Sequence, residues 1–277
     1  MDKTRKILFA SDFSARCDRP LDRALMLAQE WNGSLLIVHV VEGGPHGAQR
    51  ANMGELAQAL RRELPESSAN VELILKTGST PHVLAALANE SDSDIIVTGV
   101  ARHNTLRDYF LGTAVDYIVR HASVPVLVVR KRPLQPYRRL LVATDFSACA
   151  LYALNAAARL FPDIPIKLIH AWHVPYEAFL NSESTRHEIG AQYMTEMANF
   201  LDRAPIEPGT KARISTAVEE GELGPTINRH IHASGSDLLV LGTHGQSGFV
   251  HATVGSRAAD LLTSAPTDVL IVRDRRN

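Results

Sequence analysis

The sequence predicts an open α/β protein built as two tandem copies of one design. Three observations lead there. Short apolar runs alternate with longer amphipathic stretches along the whole chain, the pattern of strands joined by crossover helices. Runs such as Leu35 to Val41 and Ile95 to Val97 are nearly continuous in apolar residues, which suits parallel strands covered on both faces. The same segments then recur in the same order in the second half, a repeat that sets the domain organisation.

The repeat is legible element by element. Lys6-Ile7-Leu8-Phe9-Ala10-Ser11-Asp12-Phe13-Ser14 returns as Arg139-Leu140-Leu141-Val142-Ala143-Thr144-Asp145-Phe146-Ser147. Ser34 to Val40 is answered by Ile166 to Ala171, Asp94 to Gly99 by Asp237 to Gly242, and Val126 to Arg130 by Val269 to Arg273. Each half reads as five strands separated by four helices, an open parallel sheet with right-handed crossovers. The join falls near Arg132-Pro133-Leu134-Gln135-Pro136, so domains are expected at 1–132 and 138–277.

Between the strands the helical signals are specific. Pro20 to Trp31 places Leu21, Ala24, Leu25 and Ala28 on one face, with Asp22, Arg23 and Glu30 elsewhere. Ser79-Thr80-Pro81 is an N-cap followed by a first-turn proline, and Gly224-Pro225-Thr226 opens a helix to about Ala233. The second half carries an insertion from Trp172 to Glu183, with Pro175, Tyr176, Phe179 and Asn181, before a helical run to Arg203. It reads either as a longer surface connection or as a lid beside the ligand end.

Ligands on open α/β sheets bind beyond the carboxyl ends of the strands, where the strand order reverses. Asp12, Gly99, Asp145 and Gly242 all fall at such ends. Gly242-Thr243-His244-Gly245 follows a strand, and after nine residues Gly255-Ser256 opens a helix. Glycine permits a tight turn and close approach by a ligand, while helix N-terminal amides and the helix dipole favour an anion. Ser256 adds a hydroxyl donor. Asp145, on a strand expected beside this loop, is suited to accept from a ribose hydroxyl or an adenine amine.

Composition narrows the function classes. The 277 residues are 45% hydrophobic and 21% charged with a net charge of −1, so no concentrated basic face marks a nucleic-acid footprint. Arg130-Lys131-Arg132 and Arg138-Arg139 read as a solvated linker. Two cysteines, Cys17 and Cys149, belong to no Cys-x-x-Cys pair and read as small, partly buried hydrophobes near helix starts. Twelve histidines give no metal triad: His170 and His173, and His230 and His232, read as scattered surface or loop residues, whereas His244 lies inside the glycine loop. Glu219, Glu220 and Glu222 read as charge complementing a helix start. The N-terminal residues fit no signal peptide, and no apolar run approaches the roughly 18–20 residues of a membrane span, so a soluble cytoplasmic protein with reduced thiols is expected.

The spacing Gly242-x2-Gly245-x9-Gly255-Ser256, with Asp145 after the first strand, His170-Ala171 at the end of the second and Val269 to Arg273 as the last, resembles the nucleotide-binding signature of the universal stress protein family. The resemblance spans nearly the whole chain as two copies. It implies two five-stranded parallel sheets with helices on both faces, Rossmann-like and similar to the adenine nucleotide α-hydrolase fold. It also implies an adenine nucleotide, ATP with or without Mg2+, held by Ala143, Asp145, Ala171, Gly242, His244, Gly245, Gly255 and Ser256, with Val142 beside Ala143 walling the base. In such proteins last strands pair, which implies an internal pseudo-dimer of the two halves, with a homodimer and a protein partner as further expectations.

The first half departs from this pattern. Gly99-Val100-Ala101-Arg102 precedes Gly112-Thr113 at the same spacing, so Arg102 stands where the second glycine should be. Asp12, His39 and Val40 persist. Arg102 either blocks this pocket or binds an anion directly. The expectation is a degenerate first site comprising Asp12, Val40, Gly99, Arg102, Gly112 and Thr113.

No Gly-x-x-x-x-Gly-Lys-Ser/Thr loop, adenylation-type Ser-Gly-Gly loop or Gly-x-Ser-x-Gly elbow is present, and no catalytic residue is assigned. The leading expectation is therefore a stress-response protein that binds an adenine nucleotide in its C-terminal half as a regulatory ligand. Slow ATP hydrolysis and a nucleotide-independent interaction scaffold are the alternatives.

Overall fold

The computed structural model describes residues 4–41, 53–67, 69–100, 113–173, 183–243 and 255–274. The chain divides into two compact units, Met1–Pro136 and Tyr137–Asn277. The first contains β1 (Lys6–Ala10), α1 (Asp18–Glu30), β2 (Ser34–Val41), α2 (Met53–Glu63), β3 (Asn70–Thr77), α3 (Thr80–Glu90), β4 (Ile95–Gly99), α4 (Thr113–His121) and β5 (Val126–Val129). The second contains β6 (Leu140–Ala143), α5 (Ala148–Leu160), β7 (Ile166–Trp172), α6 (Glu183–Arg203), α7 (Pro208–Lys211), β8 (Ile214–Glu220), α8 (Leu223–Ser234), β9 (Leu238–Gly242), α9 (Ser256–Ser264) and β10 (Asp268–Val272).

Within the first unit the strands run in the order β3-β2-β1-β4-β5, and within the second β8-β7-β6-β9-β10. The pairings given for each unit are parallel. With right-handed crossovers, this order puts the helices that precede the third strand of a unit on one sheet face and the later ones on the other. Contacts agree: α3 packs with α4, and α8 with α9. The central strands have no exposed surface at Ile7, Leu8, Phe9, Leu140, Leu141 or Val142. That is why their sequences are continuously apolar rather than alternating.

The recurring aspartates before β4 and β9 have a structural role. Asp94 Oδ2 accepts from the Lys6 amide at 3.0 Å. Asp237 accepts from the Arg138 and Arg139 amides at 2.9–3.2 Å. Each ties the start of the first strand of its unit to the neighbour that becomes its partner at the switch point.

Several helical details differ from expectation. α1 begins two residues before Pro20, and Arg23, expected away from the apolar face, is 5% exposed. Its guanidinium turns into the unit, where Nη1 donates to the Gln135 carbonyl at 3.0 Å. Ser79 is the N-cap residue of α3 by backbone angle, yet its side chain makes no capping bond. Its Oγ lies 3.0 Å from His82 Nδ1 instead. The insertion ends in α6, a helix of 21 residues, while 174–182, with Pro175, Tyr176, Phe179 and Asn181, lie outside the described residues. Among the described residues no helix is long and apolar enough to cross a membrane.

Candidate functional site

The turn leaving β6 is built by local hydrogen bonds that its residue types make available. Thr144 Oγ1 accepts from the Phe146 amide at 2.9 Å, and Asp145 Oδ1 accepts from the Ser147 amide at 3.1 Å. Ser147 Oγ in turn accepts from the Ala150 amide at 3.1 Å and caps α5. Phe146 sits at φ 64°, a left-handed conformation that is unusual for a bulky side chain. Its ring packs 4.4 Å from the His170 ring and 5.8 Å from Phe200 of α6, centroid to centroid. The turn carrying Asp145 is thus held from both its backbone and its side-chain side.

β9 lies beside β6, with Leu140, Leu141 and Val142 opposite Leu238, Leu239 and Val240. At the end of β9, the Thr243 amide donates to the Val272 carbonyl at 3.0 Å, and the Gly255 amide donates to the Thr243 carbonyl at 2.8 Å. That second bond brings together the two ends of the glycine segment. It sets the N-terminus of α9, with Gly255 as cap and Ser256 exposed, directly against the end of β9. Asp145 and the Thr243–Gly255 junction therefore flank the point where the strand order reverses. Ala171 reaches the same end of the sheet from β7, paired opposite Glu219 of β8.

Of the residues expected to hold nucleotide, Ala143, Asp145, Ala171, Gly242, Gly255 and Ser256 converge on this end of the second unit. Val142, expected beside Ala143 as a wall for the base, is fully buried within the sheet, whereas Ala143 is partly exposed. His244 and Gly245 lie outside the described residues. In the first unit Asp12 repeats the turn: its Oδ1 accepts from the Ser14 amide at 3.0 Å, and Ser11 Oγ from the Phe13 amide at 3.0 Å. Val40 is the penultimate residue of β2, Gly99 ends β4 and Thr113 begins α4, while Arg102 and Gly112 lie outside the described residues.

Other expectations about titratable groups are resolved. His170, read from sequence as a surface or loop histidine, is 9% exposed, because its ring is covered by Phe146 and by Tyr193 of α6. His230 is likewise mostly covered and pairs with Glu219. Glu219 and Glu220 end β8 rather than opening a helix, and Glu222 is the N-cap residue of α8. Burial pushes the Cys17 thiol above its ordinary pKa, with the Asp12 side chain adding to the rise. Among the described residues no group of three His, Cys, Asp or Glu could hold a metal.

Sequence reasoning misread His170 as a surface or loop residue and missed the left-handed Phe146. The signal was present in the repeat, since Asp-Phe-Ser and the strand-end histidine recur together in both halves.

The Universal stress protein family model matches residues 3–130 and again 136–273. A protein of unknown function from Pseudomonas aeruginosa PAO1 has a similar structure, with TM-score 0.64 and 19% identity, covering 99% of this chain and 94% of that one. A universal stress protein from Archaeoglobus fulgidus DSM 4304 superposes with TM-score 0.63 at 16% identity, covering 97% of this chain and 96% of its own. A putative universal stress protein from Staphylococcus aureus strain USA300 is 29% identical over 153 residues, half of this chain and 92% of that protein. The chain therefore belongs to the universal stress protein family, with two tandem copies of the family domain.

Proposed function

We propose that the second unit binds an adenine nucleotide as a regulatory ligand and that the first unit is a degenerate copy. One observation carries this reading: Asp145 and the pinched Thr243–Gly255 junction flank the sheet's switch point, with the Ser256 hydroxyl and the α9 N-terminus beside them. A carboxylate suits ribose or adenine donors, and helix-start amides suit phosphate oxygens. Ala143 and Ala171 leave room for a base, and His244 and Gly245 complete the phosphate side of the proposal. The ligand is ATP or a related adenylate, with Mg2+ bound through its phosphates. The internal pseudo-dimer, a cytoplasmic stress-response role and a protein partner that reads occupancy belong to the same proposal.

The test combines mass spectrometry of small molecules released from the purified chain with thermal shift in ATP, ADP and AMP, with and without Mg2+. The wild-type chain is expected to release or respond to an adenylate, and Gly245→Arg, which copies Arg102 of the first unit, is expected to abolish the response. A wild-type chain that neither carries nor responds to any of them overturns the proposal in favour of a nucleotide-independent scaffold.

A further inference from the structure

Each unit places a histidine from its second strand against the carbonyl that precedes its aspartate. His170 Nδ1 lies 2.8 Å from the Thr144 carbonyl oxygen, and His39 Nδ1 lies 2.9 Å from that of Ser11. A carbonyl only accepts, so Nδ1 carries the proton in this bond and the neutral ring presents Nε2 as a bare lone pair. In the second unit Nε2 is buried and finds no hydrogen-bond partner among the described residues. The ring is enclosed by Phe146 at 4.4 Å and Tyr193 at 4.6 Å.

We propose that His170 is the positioning residue of the Asp145 turn, a proton-sensitive latch that holds the carboxylate toward the ligand end of the sheet while the ring is neutral. The mechanism follows from the packing. Phe146 sits at φ 64° with its ring packed against both His170 and Phe200. A left-handed non-glycine residue persists only when its surroundings over-determine it. The two backbone-to-side-chain bonds of the turn, to Thr144 Oγ1 and Asp145 Oδ1, depend on that conformation.

Protonating Nε2 would place a charged N–H in an enclosed site that offers it no acceptor among the described residues, which is strongly unfavourable. Burial accordingly holds the His170 pKa below the ordinary histidine value. The Thr144 bond and the charges of Asp145 and Glu196 oppose that shift, and Arg257 adds to it. These groups face the ring from the turn, from α6 and from α9, and Tyr193 covers it from α6. Acidification therefore drives the ring out of the cluster, Phe146 loses its stacking partner, and the Asp145 turn relaxes.

The first unit is an internal control. Phe13 has φ 53° and meets His39 edge-on at 5.5 Å, but His39 is partly exposed. The enclosed ring on which the latch depends is thus found in the second unit and not in the first.

The link to ligand affinity rests on the nucleotide reading above, whereas the latch itself is tested without ligand. Amide spectra of the 15N-labelled full chain are followed from about pH 7.5 down to about pH 4, because a histidine held below its ordinary pKa titrates at the acid end of the usual range or beneath it. His170→Asn keeps a donor at the position of Nδ1 and cannot titrate, and His170→Leu removes the donor. The Phe146 and Ser147 amides are expected to move with acid in the wild type and stay still in His170→Asn. In His170→Leu they should be displaced at every pH. Amides that do not move in the wild type, or that move equally in His170→Asn, overturn the latch. Adenine nucleotide titrations form the second arm. His170→Leu is expected to weaken binding about tenfold, the equivalent of one hydrogen bond. His170→Asn should match the wild type at neutral pH and lack its acid loss. Equal binding by wild type and His170→Leu removes the positioning role. Amides that behave as expected in a chain that binds no nucleotide uphold the latch and overturn the nucleotide reading instead.

Discussion

A Cβ placed on Gly242 would stand 3.0 Å from both the carbonyl carbon and the Sγ of Cys149. The glycine that ends β9 is thus required by how closely the start of α5 crosses the sheet, before any ligand is considered. The same holds in the first unit, where a Cβ on Gly99 would meet Pro20 Cγ at 3.0 Å. Packing thus accounts for glycine at both Gly99 and Gly242, whereas three residues later the first unit has Arg102 and the second Gly245. Gly242→Ala is expected to destabilise the second unit by about 1–3 kcal/mol, the usual cost of overpacking. Gly99→Ala should cost less, because it meets the tip of a proline ring rather than helix backbone. Urea denaturation of the two variants checks the order, and equal or reversed costs would refute this account.

The tandem α/β design was legible because burial on both sheet faces forces long apolar runs, and these recur in register through the two halves. The candidate site was legible only in part. Asp145 and Gly255 announced themselves by position and spacing, but the support beneath them did not. His170 lies inside an apolar run, where nothing in one-dimensional spacing shows that Phe146 folds back across its ring. Arg23 misled for the converse reason: a charged residue reads as exposed, yet its guanidinium finds the Gln135 carbonyl, a partner 112 residues away.

Thiol chemistry should be slow at both cysteines. Cys149 is 6% exposed, with Sγ at 3.5 Å from both Thr243 Oγ1 and the Val272 carbonyl. Cys17 is more accessible, but burial raises its pKa and its thiol donates to Asp12 Oδ1 at 3.1 Å. Only thiolate reacts, so the native chain at neutral pH should be alkylated by iodoacetamide far more slowly than a free thiol. Cys17 is expected to react before Cys149. Peptide mass mapping over time reads the order, and prompt labelling of Cys149 would contradict the packing of α5 on β9.

Tyr137 anchors the start of the second unit. Its hydroxyl donates to Asp268 Oδ2 at 2.7 Å, and the two residues are 3% and 1% exposed. Its ring meets Phe161 edge-on at 5.7 Å. Tyr137→Phe keeps the ring and removes only the donor, leaving a buried carboxylate one partner short. The expected loss is about 1–3 kcal/mol, read as a lower urea midpoint with an unchanged slope. An unchanged midpoint would mean that the hydroxyl contributes nothing net.

Acid should also loosen the attachment of α8 to β8. Glu219 of β8 accepts from Arg229 and meets the His230 ring, both on α8. The His230 bond is the main reason that the Glu219 pKa lies below its ordinary 4.5, with Arg229 assisting and partial burial opposing. Because the folded-state value is the lower one, the unfolded chain binds more protons in acid than the folded chain. The contribution is therefore complete above the ordinary carboxylate value of 4.5 and is lost as pH falls through the lower folded value. The Glu219 side chain is 34% exposed and that of Arg229 54%, so solvent screening keeps the effect below about 1 kcal/mol. Glu219→Gln should be slightly less stable than wild type near neutrality, and the two should converge in acid. Urea midpoints measured across that range test this, and a gap that stays constant with pH would show that Glu219 acts through shape rather than charge.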